Sequence, residues 1–166
     1  MTRPAELREL PRSEGHNCFG CSPSNPHGLQ MTFRTDERAV YSDVTIPGHL
    51  CGWSNLAHGG VLVTILDEIM SWAAIYLLRR ITVTQSMQID FIKPVTVRSS
   101  LAARGAIVST SGKHDVRTEG EIRTSEGDLC ASARADFKVF SPAVARRLKI
   151  ADNDSLEWFA QALDIR

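Results

Sequence analysis

Three groupings in this 166-residue chain bring together side chains and backbone able to do chemistry. His58-Gly59-Gly60 opens the longest apolar run, which continues to Leu78. Glycines at a helix start leave backbone N–H groups accessible, and the helix dipole favours negative charge there. Those are the requirements of an oxyanion hole, although two glycines also make a tight loop-to-helix turn. Asp67 and Glu68 interrupt the middle of the same run. A carboxylate among apolar side chains is costly unless it is paired, solvated or functional. Such a group can attack an acyl carbon or activate water, or it can be a structural partner for Arg79 or Arg80. The third grouping is H-x-C-x2-C-x5-H, formed by His16, Cys18, Cys21 and His27. These are donors of the kind that hold tetrahedral zinc, in an unusually compact spacing.

Spacing limits how the first two groupings can cooperate. Eight residues of helix from Gly59 to Asp67 span about 12 Å, too far for one reacting centre to touch both. Two antiparallel copies of the helix, related by a twofold axis, would bring Gly59 of one copy to Asp67 of the other. The spacing therefore predicts a homodimer with two sites at its interface, with a dimer of dimers left open. Glu68 lies about 100° around the helix from Asp67, so only one of the two acids can aim at such a site.

The elements that must position these groups are legible from periodicity. Strong helix formers, without glycine or proline after Gly60, predict one long helix over His58 to Leu78. Apolar residues cover nearly its whole circumference, so it should be buried on almost all sides. Alternation predicts a hairpin before it, with Leu29, Met31 and Phe33 on one arm, Val40, Val44 and Ile46 on the other, and a turn at 35–38. Four strands should follow: Ile81 to about Phe91, Arg98 to Ser109, His114 to Arg123, and Leu129 to Val139. Ala131, Ala133 and Ala135 on one face of the last imply something bulky close by, with the helix as the candidate. Asp154 or Ser155 would cap a terminal helix over 156–163. The fold class read from this order is α+β, a curved antiparallel sheet wrapped around one central helix. It divides into an irregular segment (1–27), a sheet-and-helix domain (28–141) and a short helical tail (142–166). One helix leaves part of such a sheet uncovered, which also favours dimerisation.

Nineteen Lys and Arg balance nineteen Asp and Glu, so no net field points to nucleic acid or an anionic membrane. Met1 to Ser13 are polar, with no apolar stretch of the signal-peptide kind. The long helix approaches membrane-spanning length, but its two central acids argue for a soluble, cytoplasmic protein. Four cysteines do not make a disulfide scaffold, and Cys51 and Cys130 read as free thiols.

Cys18-Phe19-Gly20-Cys21, Asn25-Pro26, Gly28-Leu29, the His58-Gly59-Gly60 run with Asp67 nine residues after the histidine, and Asp90-Phe91-Ile92-Lys93-Pro94 stand together in one chain. This pattern resembles hotdog-fold thioesterases of the PaaI/4-hydroxybenzoyl-CoA thioesterase type over about residues 16 to 140. The resemblance implies that the Gly59 N–H polarises a thioester carbonyl and that Asp67 of the other subunit is the catalytic carboxylate. It also implies that His58, counted with the catalytic set, shapes the helix start and contacts the substrate, and that Thr84 supplies an assisting hydroxyl. Thr84 lies on the polar face of its strand and should point away from its own helix unless a bulge intervenes. Gly60, Asn55, Glu68 and Lys93 complete the expected substrate-binding set, with Lys93 near coenzyme A phosphates. The Trp53-Ser54 segment and Trp72 are candidates for the acyl pocket, with the core as the other reading of Trp72. Related thioesterases carry the CFxC stretch as a metal-free loop, so neither metal nor redox cofactor is expected, and coenzyme A enters only as part of the substrate. The function expected is acyl-CoA hydrolysis, and the alternative is a hotdog domain that binds acyl ligands without turning them over.

Overall fold

The computed structural model describes residues 7–165. Its order is β1 (Arg8–Glu9), β2 (Arg34–Thr35), β3 (Ala39–Thr45), α1 (Gly59–Leu78), β4 (Ile81–Phe91), β5 (Ser100–Ser111), β6 (Asp115–Thr124), β7 (Leu129–Phe140), α2 (Pro142–Arg147) and α3 (Asn153–Leu163). The strands form one antiparallel sheet in the order β1-β2-β3-β5-β6-β7-β4, curved around α1. This is the expected α+β architecture, with β4 at one edge.

α1 forms where the sequence predicts it. His58 caps its start by accepting the Gly60 N–H at Nδ1, and Arg79 ends it in the left-handed region, donating its own N–H to Ile75. Eleven of its 20 residues are buried. The helix is long and apolar enough to cross a membrane, and its place on the inner face of the sheet accounts for that apolarity. Complete burial of side chains such as Ile65, Leu66, Ile69 and Phe137 contributes about 1.5–3 kcal/mol each.

Small residues let the helix lie close to the sheet. Gly105 on β5 pairs with Gly120 on β6, which pairs with Ala133 on β7. A Cβ added at Gly105 would stand 2.4 Å from the Ile69 carbonyl oxygen, so backbone meets backbone there. The alanine face of β7 is buried as its alternation requires, and the two glycines extend that row across three strands.

β4 departs from simple alternation. Its register against β7 shifts between Thr84 and Ser86, leaving Gln85 as the extra residue of a bulge. Before the bulge, Thr82 and Thr84 stand opposite Val139 and Phe137 of the buried face; after it, Met87 and Ile89 stand opposite Ala135 and Ala133 of the same face. The bulge thus switches which alternate positions look toward α1. Val83 faces the other way from Met87 and is exposed.

Two boundaries differ from expectation. The described part of the irregular N-terminal segment contributes the short strand β1 and a loop tied to the next stretch of chain. There the Leu29 and Met31 amides donate to Phe19 and Gly20 at 2.9 and 3.0 Å, which keeps this stretch out of the regular hairpin ladder. The tail holds two helices: Ser141 caps α2, with Pro142 in its first turn, and Asp152 caps α3, three residues before the expected start. Arg79 donates to the Leu163 carbonyl at 2.9 Å, and Phe159 packs on Trp72, docking the tail against α1.

Candidate active site

The start of α1 holds one accessible donor. The His58 imidazole takes the Gly60 N–H at 2.9 Å and the His58 carbonyl takes the Val61 N–H at 2.9 Å. The Gly59 N–H has no acceptor among the described residues. The two glycines therefore have separate roles, Gly60 completing the cap and Gly59 presenting a free amide at the positive end of the helix dipole. The Phe91 ring stands beside it, 3.6 Å from where a Gly59 side-chain carbon would lie.

Asp67 is half-buried two turns along α1. Its Oδ1 accepts a hydrogen bond from the Thr84 hydroxyl at 2.7 Å. The bulge at Gln85 resolves the orientation of Thr84, which faces its own helix. Burial pushes the Asp67 carboxyl above the usual aspartate range, and the Thr84 hydrogen bond pulls it partly back. One turn further, Ser71 and Thr82 share a hydrogen bond of 3.0 Å. Gly59 with Phe91, Asp67 with Thr84 and Ser71 with Thr82 show α1 and β4 running antiparallel, with the amide and the carboxylate on the side facing β4. Eight residues still separate Gly59 from Asp67, about 12 Å within one chain. β4 is the sheet edge, where Val83, Phe91 and the adjoining Ile92 are 41%, 57% and 50% exposed.

Glu68 looks elsewhere. Its Oε1 accepts from the Cys18 thiol at 3.1 Å, and Gly20 packs so close that a Cβ there would overlap the Glu68 side chain. Burial, reinforced by the Cys18 sulfur, pushes the Glu68 carboxyl up to about 8. Cys18 is held below the usual thiol range, first by a hydrogen bond with Cys21, while that bond and burial hold Cys21 above it. Glu68 and the two thiols line a cavity of about 370 Å3 walled by Trp72 on α1 and by Trp158 and Phe159 on α3. Trp158-Phe159, the one aromatic pair of the tail, was its sequence signal.

The remaining expected residues lie apart. Of the four zinc candidates, only Cys18 and Cys21 converge, and the third donor meeting them is Glu68. His16 spends Nδ1 on the Cys18 amide at 3.2 Å, and His27 is exposed in the Asn25 turn. Asn55 lies in an exposed loop, its carbonyl accepting from Val97. Lys93 is exposed and paired with Asp128 at 2.8 Å. Trp53 is 84% exposed, whereas Trp72 is buried and stacked on Phe33. The Ser71–Thr82 pair belongs to the β4 side of α1 and was not singled out by sequence, whereas Phe91 stood there only as part of the Asp90–Pro94 run.

Residues 54–131 match the family described as the Thioesterase superfamily. No curated protein matches. Among solved structures, thioesterase HI1161 from Haemophilus influenzae is 22% identical, with a TM-score of 0.61, over 68% of this chain and 79% of that one. A hypothetical thioesterase from Streptococcus pneumoniae TIGR4, solved with coenzyme A, is 23% identical, with a TM-score of 0.58, over 63% and 80%. The E. coli PaaI protein is 18% identical, with a TM-score of 0.61, over 68% and 81%. The match and the shared architecture agree: this chain has the hotdog fold of those solved structures, and its residues 54–131 are similar to the Thioesterase superfamily.

Proposed function

We propose that this protein is a homodimeric acyl-CoA thioesterase whose two sites each combine the Gly59 N–H of one subunit with Asp67 of the partner subunit. The observation that carries this reading is that a free helix-terminal amide and a threonine-bound carboxylate lie on one side of α1, facing the unpaired edge strand. Twofold pairing of β4 with its copy would cover Val83, Phe91 and Ile92 and bring opposite ends of two α1 helices together. The coenzyme A bound by the pneumococcal neighbour supports the substrate class. Two further structures of that protein carry an aspartate or a threonine replaced by alanine, the residue types paired here.

In this mechanism the thioester carbonyl oxygen accepts the Gly59 N–H, which stabilises the charge that develops as the carbon is attacked. His58 holds the helix start rigid, so the amide is oriented before substrate arrives. The Asp67 carboxylate of the partner subunit either attacks the carbon, forming an anhydride that water opens, or takes a proton from the attacking water. Both routes consume one water and release a carboxylic acid and the coenzyme A thiol. Thr84 fixes the carboxylate while leaving its second oxygen for chemistry.

Thiol release from short, long and aryl acyl-CoAs, followed with Ellman's reagent, tests the proposal. Asp67→Asn should lower kcat by about 10²–10⁴-fold and keep acyl-CoA affinity. Binding without release by the wild type would instead establish an acyl-ligand binding protein, and full turnover in Asp67→Asn would remove Asp67 from the mechanism.

A further inference from the structure

We propose that Cys18, Cys21 and Glu68 form a binding site for a thiophilic divalent cation of the zinc type, with a fourth coordination position open to the aromatic cavity under α3. The two sulfurs and a Glu68 oxygen all lie within 4.8 Å of one another. On a tetrahedral ion with Zn–S bonds of about 2.3 Å, two sulfurs sit about 3.8 Å apart, so the donors need to close by only about 1 Å. Neither cysteine is in a disulfide.

Three further features support an ion here rather than a chance cluster. Glu68 is a half-buried acid on a helix of otherwise apolar surroundings, and no Lys or Arg pairs with it among the described residues. Lys149 lines the same cavity without forming an ion pair to it. A dication would replace that missing counter-charge. The loop is also built around the donors: Cys18 and Cys21 flank Gly20, which alone allows the loop to lie flat on Glu68, and the Gly20 carbonyl is tied to the Met31 amide at 3.0 Å. The donor chemistry then selects the ion. Two thiolates with one carboxylate suit Zn2+, Co2+ or Fe2+ and exclude Mg2+ or Ca2+.

Binding is not redox chemistry. The ion replaces the protons held by the two thiols and the carboxyl, which pass to solvent, and the sulfurs stay at thiolate level. His16 lines the cavity but stands outside the three-donor cluster, so water or a small ligand from the cavity takes the fourth position. This ligand set differs from the sequence pattern in two of four members, since Glu68 enters from α1 and neither histidine is required. The site uses donors separate from the proposed hydrolytic site, because Asp67 faces β4, while the Cys18 sulfur is close enough to help raise the Asp67 carboxyl.

The full-length protein, reduced and freed of metal, should be titrated with Co2+ and then Zn2+. The expected result is one equivalent of Co2+ per chain, with the intense near-ultraviolet thiolate-to-cobalt band and the visible bands of tetrahedral cobalt, displaced by Zn2+. Cys18→Ser and Cys21→Ser should abolish the thiolate band, Glu68→Gln should weaken binding at least tenfold, and His27→Ala should leave it unchanged. Absence of the band in the wild type overturns the proposal without recourse to a variant that might misfold. Loss of binding in His27→Ala also overturns it, by returning the site to the four-residue sequence pattern.

Discussion

Asp67 and Glu68 are neighbours in sequence, carry the same charged group, and occupy different worlds. About 100° of helix rotation turns Asp67 to the edge strand and Glu68 to the N-terminal loop and tail. Asp67 meets a hydroxyl that donates to it and leaves its second oxygen uncommitted. Glu68 meets two sulfurs and a glycine under the aromatic side chains of α3. Burial raises both carboxyls, and by more at Glu68, which reaches about 8. What separates their chemistry is the second partner: an oxygen donor orients a carboxylate for reaction, whereas two thiols make it part of a ligand set.

The sharpest way to break the Glu68 side alone is Gly20→Ala. The new methyl would fall 2.1 Å from Glu68 Cγ and 2.4 Å from Cδ, so the acid must leave the thiols or the loop must lift. We expect a loss of about 1–3 kcal/mol of stability, read by denaturant unfolding. Cobalt binding should weaken with it, while thiol release from acyl-CoA stays within a factor of about three. An equal loss of both activities would mean that the two faces of α1 are coupled.

The Asp67 side is isolated by Thr84→Val, which keeps the shape and deletes the donor. One hydrogen bond to a charged group is worth about 1.5 kcal/mol, so turnover should fall about tenfold with cobalt binding intact. Loss as deep as that of Asp67→Asn would place the Thr84 hydroxyl in the reaction itself, and no loss would show that the carboxylate is positioned by packing alone.

How far the sequence reported this division depends on whether the signal was periodic. α1 and β7 were legible because 3.6- and 2-residue periods run through them unbroken, and Ala131, Ala133 and Ala135 correctly announced a close helix. The bulge at Gln85 was not legible. No glycine or proline marks it, and one extra residue reverses the sense of alternation, which is why simple alternation turned Thr84 away from α1 although it faces the helix. The partner of Glu68 was hidden for another reason. Fifty residues separate Cys18 from Glu68, so local spacing paired the cysteines with His16 and His27, the nearest donors in sequence rather than in space. Gly105 and Gly120 were equally silent, since only their pairing beneath Ile69 and Met70 gives them meaning.

The smallest effect belongs to Thr82→Val. Thr82 precedes the bulge, faces α1 as Thr84 does, and shares its hydroxyl with Ser71, one helical turn beyond Asp67. Because Ser71 is neutral and half-buried, losing this partner should cost about 0.5–1 kcal/mol of stability and leave turnover within twofold. The comparison with Thr84→Val then has a definite meaning. Two threonines on one strand face, bonded to one helix, differ in whether the partner is a carboxylate or a hydroxyl. If thiol release falls tenfold in both variants, the edge strand acts as a unit and Asp67 is oriented by the seating of β4 on α1. If it falls only in Thr84→Val, the 2.7 Å hydrogen bond itself sets the carboxylate, and the bulge at Gln85 is what makes that bond possible.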